Sequence, residues 1–178
     1  MATLRQRVVW RSRQANLPRY LYHVTFLHAL ESIQSRGLRP GSGQTFGGGY
    51  GGHSRGRVFF TEDDGVNFWF DRYEMNAPNM TDTPEEGWVP VVLRVASSKI
   101  HPAMIDEAGT RDASAQAFYI EKGVASNDLE VYDGRSWKRL SSADPDAMLE
   151  RVLAASEQEF DEDTGESWWY MAEDFFKP

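Results

Sequence analysis

The pattern of apolar and polar positions near the N-terminus predicts a short buried strand followed directly by a helix. Residues 20–25 are almost continuously apolar or aromatic, which is typical of a buried strand. The helix shows apolar positions three residues apart at Leu27, Leu30 and Ile33. Thr25 is suited to cap its first turn, and Gly37 to occupy the left-handed position beyond its last turn. We therefore expect a well-delimited helix between these two residues.

Later segments alternate strand patterns with helix patterns. Strands are expected over residues 57–61, 89–95, 118–120 and 129–132, and a last one around Trp137 and Leu140. Helical spacing runs from Val66 to Tyr73, with Asp63 or Asp64 as the cap, whereas residues 96–115 show no strong period. This mixture, with several strands late in the chain, indicates an α+β domain built on small antiparallel or mixed sheets.

The C-terminal segment is expected to be helical. Asp144 followed by Pro145 is a typical helix start, and an amphipathic pattern continues to Leu153. Five later positions are expected to share a second helical face: Trp168, Trp169, Ala172, Phe175 and Phe176. We expect this second helix to pack on its own domain, with a lid or a partner-binding segment as the alternative.

The organisation of the chain follows from these elements. We expect an Arg-rich N-terminal arm over residues 1–19, a domain over residues 20–142, and an acidic, aromatic helical extension over residues 143–178. Residues 41–56 contain eight glycines and predict an irregular loop, which either orders over a ligand or serves as a linker. The loop lacks the glycine spacing of a Rossmann turn or a P-loop, so neither phosphate-binding motif is indicated.

Composition excludes several classes of chemistry. The chain has no cysteine, which excludes disulfides, thiol nucleophiles and thiolate metal sites. The four histidines, His23, His28, His53 and His101, form no HExxH-type pair, so no metal site is expected, and no GxSxG motif supports a serine hydrolase. Neither a membrane span nor a secretory signal is found, so we expect no membrane partner and a cytoplasmic or delivered protein.

The formal net charge of −8 hides two oppositely charged segments. Residues 1–60 contain nine arginines and one acid, a charge of +8, whereas residues 61–178 contain ten basic and 26 acidic residues, a charge of −16. A basic segment of this kind is typical of a surface that meets phosphates or nucleic acid. The alternative is that the two segments attract each other within one fold.

Three segments in order resemble the ADP-ribosyltransferase superfamily. These are Tyr22-His23-Val24-Thr25, the helix end Ser35-Arg36-Gly37-Leu38-Arg39-Pro40, and, after the glycine-rich loop, Arg57-Val58-Phe59-Phe60-Thr61. The family pattern is aromatic-His-Gly-Thr, a helix ending in Gly-Leu, a variable loop, and an aromatic pair on a second conserved strand. The resemblance covers residues 20–73 well and extends more loosely to about residue 132. It implies a split β-sheet core with flanking helices.

The resemblance also implies a set of NAD-binding residues. His23 would hydrogen-bond a ribose hydroxyl, the backbone of Val24 would grip the nicotinamide amide, and Thr25 would support this strand end. Phe59 matches the aromatic residue that stacks on nicotinamide, and stacking needs only a ring face. The remaining expected NAD-binding residues are Arg57, for the pyrophosphate, and Phe60, which strand alternation turns towards the core.

The resemblance assigns catalysis to His23, Phe59 and the position of a later glutamate. In the segment from Ser114 to Val124, Gln116 occupies that glutamate position. Glutamine can hydrogen-bond a ribose hydroxyl but supplies no negative charge. The nearest acid, Glu121, lies at the far end of the strand and on its opposite face by parity.

The implied function is NAD-dependent mono-ADP-ribosyl transfer to a macromolecular acceptor, protein or nucleic acid, with release of nicotinamide. A toxin or effector role fits a compact, cysteine-free transferase. Two alternatives stay open. One is an RNA 2′-phosphotransferase-like or nucleic-acid-directed relative, which the arginines favour. The other is an inactive module that binds NAD, or that binds a basic partner through its acidic C-terminal half.

Overall fold

The computed structural model describes residues 17–41, 55–74, 88–100, 102–160, 162–163, 167–170 and 176–178. The strands are β1 (Tyr20–Phe26), β2 (Val58–Thr61), β3 (Pro90–Ala96), β4 (Met104–Ile105), β5 (Ala117–Ile120), β6 (Leu129–Tyr132), β7 (Trp137–Arg139), β8 (Glu157–Phe160) and β9 (Ser167–Tyr170). The helices are α1 (Leu30–Arg36), α2 (Val66–Glu74), α3 (Glu107–Ala113) and α4 (Pro145–Ala155). The α+β class expected from the sequence is confirmed.

The first seven strands form one antiparallel sheet in the order β4-β5-β2-β1-β3-β6-β7, and β8 pairs with β9 separately. Helices cover both faces of this sheet. On one face Leu21 packs in a large apolar cluster with residues of α1 and α4, and on the other Val24 packs against α2. Consecutive β3 residues Val91, Val92 and Leu93 are therefore all fully buried. This two-sided cover explains why β3 reads as nearly continuous apolar sequence.

β1 pairs very unequally with its two neighbours in the sheet. With β3 it keeps register along its whole length, from Tyr20 opposite Ala96 to Phe26 opposite Pro90. With β2, the described residues give the single register pair Tyr22 and Thr61. The β1–β2 ladder therefore ends early, and backbone edges of both strands face the space beyond it.

Two of the three helix caps expected from the sequence are wrong. Thr25 lies inside β1, because the strand continues to Phe26 before a 3-10 turn leads into α1. Asp63 and Asp64 lie within a second 3-10 turn that precedes α2, and the residue before that turn is Glu62. The third cap is confirmed, because the Asp144 side chain accepts a hydrogen bond from the Ala147 N–H at 3.1 Å.

The aromatic C-terminal helix expected over Trp168 to Phe176 is wrong at residues 167–170, which form strand β9. Glu157 pairs with Tyr170 and Phe160 with Ser167 across the β8–β9 ladder. Tryptophan and tyrosine favour strands, and this local preference prevails over the apparent helical spacing. The chain end nevertheless packs on the domain, since Phe176 is fully buried in the larger apolar cluster.

Residues 96–115, which show no period in the sequence, contain both β4 and α3. Neither element is long enough to display a period, and α3 has only seven residues. The structure of the arm up to residue 16, of the glycine-rich loop over residues 42–54 with His53, and of His101, Ala172 and Phe175 lies outside the described residues. Within the described part of the chain, no helix combines the length and apolarity that crossing a membrane requires.

Candidate functional site

A cleft of about 230 Å³ opens where the β1–β2 ladder ends. Its walls come from residues 22–25 of β1 and residues 57–61 of the β2 segment. The remaining lining residues are Leu38, Arg39, Gly41, Trp69, Tyr73, Asp106 and Ala117. Five of the six residues that the resemblance implies for NAD binding come from these two strand segments, and Arg57 directly precedes β2. The structure therefore brings all six to one cleft.

His23 joins the two strands across this opening. Its Nδ1 lies 2.7 Å from the Phe59 carbonyl oxygen. A carbonyl can only accept, so Nδ1 carries the hydrogen, and the neutral ring keeps a lone pair on Nε2. Burial of the ring lowers the pKa of His23 below its usual value, an effect that the hydrogen bond to Phe59 partly opposes. His23 is thus held as a neutral hydrogen-bond acceptor at the cleft.

The lowered pKa of His23 implies a specific dependence of stability on pH. The unfolded chain takes up a proton at His23 near pH 6.5, whereas the folded protein does so only at lower pH. This contribution to stability is therefore complete above pH 6.5 and is lost as the pH falls towards the folded pKa. His23→Asn keeps a donor at the Nδ1 position but does not titrate. We expect the free energy of unfolding, measured with urea from pH 7.5 to 5, to fall less steeply in His23→Asn than in the wild type. Parallel curves would contradict a buried neutral histidine.

Aromatic rings line the β2 side of the cleft. Phe59 is half-buried, and its ring centroid lies 6.2 Å from that of Tyr119 on β5. The Arg57 guanidinium lies over the Tyr119 ring at 4.1 Å from its centroid. Such stacking holds the flexible arginine against the sheet while its charge stays at the cleft.

Tyr22 provides a neutral phenol beside His23. Burial, and then the nearby negative charge of Asp63, raise the pKa of Tyr22. The Tyr22 hydroxyl also donates a hydrogen bond to the Asp63 carboxylate, which favours the protonated phenol further. Tyr73 of α2 is buried at the same cleft, and burial likewise raises its pKa. Both phenols therefore keep their protons at neutral pH.

A row of paired positions crosses the sheet at the base of the cleft. Tyr22 lies opposite Thr61, and Thr61 lies opposite Ala117. The Asp106 N–H donates to the Ala117 carbonyl at 2.8 Å, which continues the row by one more position. Asp106 is only 4% exposed and lines the cleft. The row thus places a buried carboxyl group on the wall of the cleft.

Gln116 is exposed and lies outside the cleft lining. Its N–H donates to Glu62 Oε1 at 2.7 Å, and its carbonyl accepts from the Glu62 N–H at 3.0 Å. The Thr61 hydroxyl also donates to this carbonyl at 3.4 Å. The backbone of Gln116 therefore ties the start of β5 to the end of β2, one position away from the cleft residue Ala117.

The other residues expected from the sequence lie in the walls. Val24 is 3% exposed and packs towards α2, so only its backbone is suited to polar contact with a ligand. Thr25 is buried within β1. Phe60 is turned into the core, as strand alternation predicts, and its ring centroid lies 5.9 Å from that of His23. These side chains shape the cleft more than they expose polar groups to it.

The sequence analysis did not identify several cleft residues. Trp69 and Tyr73 belong to the predicted helical face and read as core positions, and Tyr22 reads as strand interior. Asp106 falls in the segment without periodicity, where no pattern distinguishes it from the surrounding acids. Only the pairing of β4 with β5 brings it next to Ala117, and such non-local pairing leaves no local signal.

Within the described part of the chain, no group of three or more His, Cys, Asp or Glu side chains is placed to hold a metal ion. Comparison of the chain with protein-family models, with curated proteins and with solved structures gave no match.

Proposed function

We propose that the protein is an NAD-dependent mono-ADP-ribosyltransferase that modifies a macromolecular acceptor and releases nicotinamide. The observation that carries the proposal is the neutral His23 with its Nε2 lone pair at the cleft between β1 and β2, on the wall that Phe59 shares. A ribose hydroxyl is a donor that Nε2 can accept, and the Phe59 ring can stack on a heterocycle. Arg57 is suited to the pyrophosphate between them.

The chemistry needs orientation more than a protein nucleophile. The bond between ribose C1′ and the nicotinamide nitrogen breaks, and its electron pair neutralises the pyridinium ring. An oxygen or nitrogen of the acceptor bonds to C1′ and loses its proton to solvent or to a nearby base. Residues that fix the ribose and the nicotinamide relative to each other raise the rate by holding this reactive geometry. His23, the Val24 backbone and Phe59 are the residues to which we assign this role.

The position of Gln116 favours a second candidate, a module that binds NAD without turning it over. Its side chain stands where the resemblance expects a glutamate, and it lies outside the cleft lining. Without a carboxylate at the developing positive charge on C1′, transfer loses electrostatic stabilisation. The two candidates share the NAD site and differ only in turnover.

Two labels on NAD separate these candidates. NAD labelled with ¹⁴C in the nicotinamide ring reports release, and NAD labelled with ³²P in the pyrophosphate reports transfer to proteins or nucleic acids of a lysate. We expect both free labelled nicotinamide and ³²P-labelled macromolecules. Nuclease and protease digestion of the product then identifies the acceptor class. Tight NAD binding by calorimetry without either signal would replace the transferase with the binding module.

A further inference from the structure

The charged groups of the cleft are separated by depth. Asp106 is 4% exposed and lies with the buried residues Thr61 and Ala117, at 2% exposure each. Arg39 is exposed, and the half-buried Arg57 lies on the neighbouring segment that lines the same cleft. The cleft is therefore negative at its buried end and positive at its open end.

Building on the proposed function, we infer that Asp106 makes this cleft selective for the positively charged nicotinamide ring of NAD⁺ over the neutral ring of NADH. The ligand that fits such a charge separation carries a cationic ring at one end and an anionic group at the other. NAD⁺ has both, as pyridinium and pyrophosphate. Reduction to NADH removes the ring charge and leaves the rest of the molecule almost unchanged. Asp106 thus acts as a specificity-determining residue, distinct from the residues assigned above.

The local structure keeps the Asp106 carboxyl group away from ordinary helix capping. Asp106 immediately precedes α3 and has extended backbone geometry, yet its side chain makes no capping hydrogen bond to that helix. A Cβ built on Gly109 would lie 2.5 Å from Asp106 Oδ2, so the missing side chain at Gly109 makes room for the carboxyl group. A buried carboxylate interacts strongly with a cation because little water screens the charge there.

Aromatic side chains strengthen the preference for a cation. Tyr22, Trp69 and Tyr73 line the same cleft as Asp106. The face of an aromatic ring carries partial negative charge and attracts a cationic group, most strongly where water is excluded. Both tyrosines keep their protons, so they add this attraction without a full charge of their own. The combined effect is expected to favour NAD⁺ over NADH by on the order of tenfold in Kd.

Calorimetric titration of the full chain with NAD⁺, NADH and ADP-ribose tests this inference. The wild type is expected to bind NAD⁺ on the order of tenfold more tightly than NADH. Asp106→Asn keeps the shape and removes the charge, so it should bind both nucleotides with the Kd that the wild type shows for NADH. Glu107→Gln removes the same charge one residue away at an exposed position, and it should keep the wild-type preference. ADP-ribose, which lacks the ring, should bind equally to all three proteins.

Each outcome bears on one of the two claims. Equal wild-type affinity for NAD⁺ and NADH, or a preference that survives in Asp106→Asn, would overturn the role of Asp106 and leave nicotinamide release untouched. Failure of the wild type to bind NAD⁺, NADH and ADP-ribose would instead overturn the proposed function, and the inference with it. If Asp106→Asn failed to fold, wild-type titration with 1-methylnicotinamide, a cation, against neutral nicotinamide would decide the matter, since equal binding would refute the selectivity.

Discussion

Replacing His23 with alanine is expected to lower nicotinamide release from NAD by on the order of 100-fold. His23 presents a neutral Nε2 at the cleft because its Nδ1–H is committed to the Phe59 carbonyl. Without the ring, the ribose loses a fixed hydrogen-bond partner, and the glycosidic bond no longer stays in its reactive orientation. The measurement is the steady-state rate of ¹⁴C-nicotinamide release at saturating NAD, with Kd for NAD measured separately by calorimetry.

The alanine variant also removes a bond between β1 and β2, so its activity alone is ambiguous. Leaving the Phe59 carbonyl unsatisfied in a buried site costs about 1–3 kcal/mol. His23→Asn resolves the two effects, because its amide N–H₂ group can replace the Nδ1 donor while nothing replaces Nε2. We expect His23→Asn to unfold at nearly the wild-type temperature and to be as inactive as His23→Ala. Wild-type activity in a folded His23→Asn protein would eliminate the proposed role of Nε2.

His28 supplies a matched control for loss of a histidine. It is exposed, lies outside the cleft lining, and contacts the rings of Phe26 and Trp88 at centroid distances of 5.7 and 4.3 Å. His28→Ala is therefore expected to release nicotinamide at close to the wild-type rate. A loss similar to that in His23→Ala would show that the rate responds to general perturbation of the N-terminal half of the sheet.

The sequence was sufficient for elements whose signal is local. β1, β2, β5 and β6 were each predicted to within one or two residues of their observed ends, because short apolar or aromatic runs bounded by polar residues reflect strand burial directly. Helix caps were predicted less well, because a Thr or Asp near a helix start fits several positions. At Thr25 the cap residue is absorbed into β1, whose pairing with β3 extends the strand.

The cleft depends on pairing between distant segments, which no local pattern encodes. Its base is the row from Tyr22 through Thr61 and Ala117 to Asp106, and each step joins residues far apart in sequence. Residues adjacent to a recognisable motif, such as Phe59, could be identified from the sequence. Asp106 could not, because its place depends on the register of β4 against β5. For the same reason Gln116 could be aligned to a strand start while its side chain stays outside the cleft lining.

Gly37→Ala is expected to reduce the free energy of unfolding by about 3 kcal/mol. Gly37 ends α1 with φ +74° and ψ 172°, a backbone conformation that is almost restricted to glycine. An added Cβ would also lie 2.4 Å from the Val124 carbonyl oxygen. That oxygen accepts the Leu38 N–H at 2.9 Å, and the Val124 N–H returns a bond to Leu38 at 2.8 Å. The clash thus opposes the bridge that positions the segment leading to Arg39 at the cleft.

Gly56→Ala separates the strain of positive φ from the steric clash. Gly56 has the same φ of +74°, and nothing lies within 4 Å of a Cβ built there. Its loss is expected to be about 1 kcal/mol, from backbone strain alone. Urea denaturation of both variants, analysed as two-state transitions, measures the difference. Equal losses would mean that the Leu38–Val124 bridge shifts without cost. A larger loss in Gly37→Ala, accompanied by weaker binding of ADP-ribose, would show that this bridge both stabilises the domain and holds the arginine end of the cleft in place.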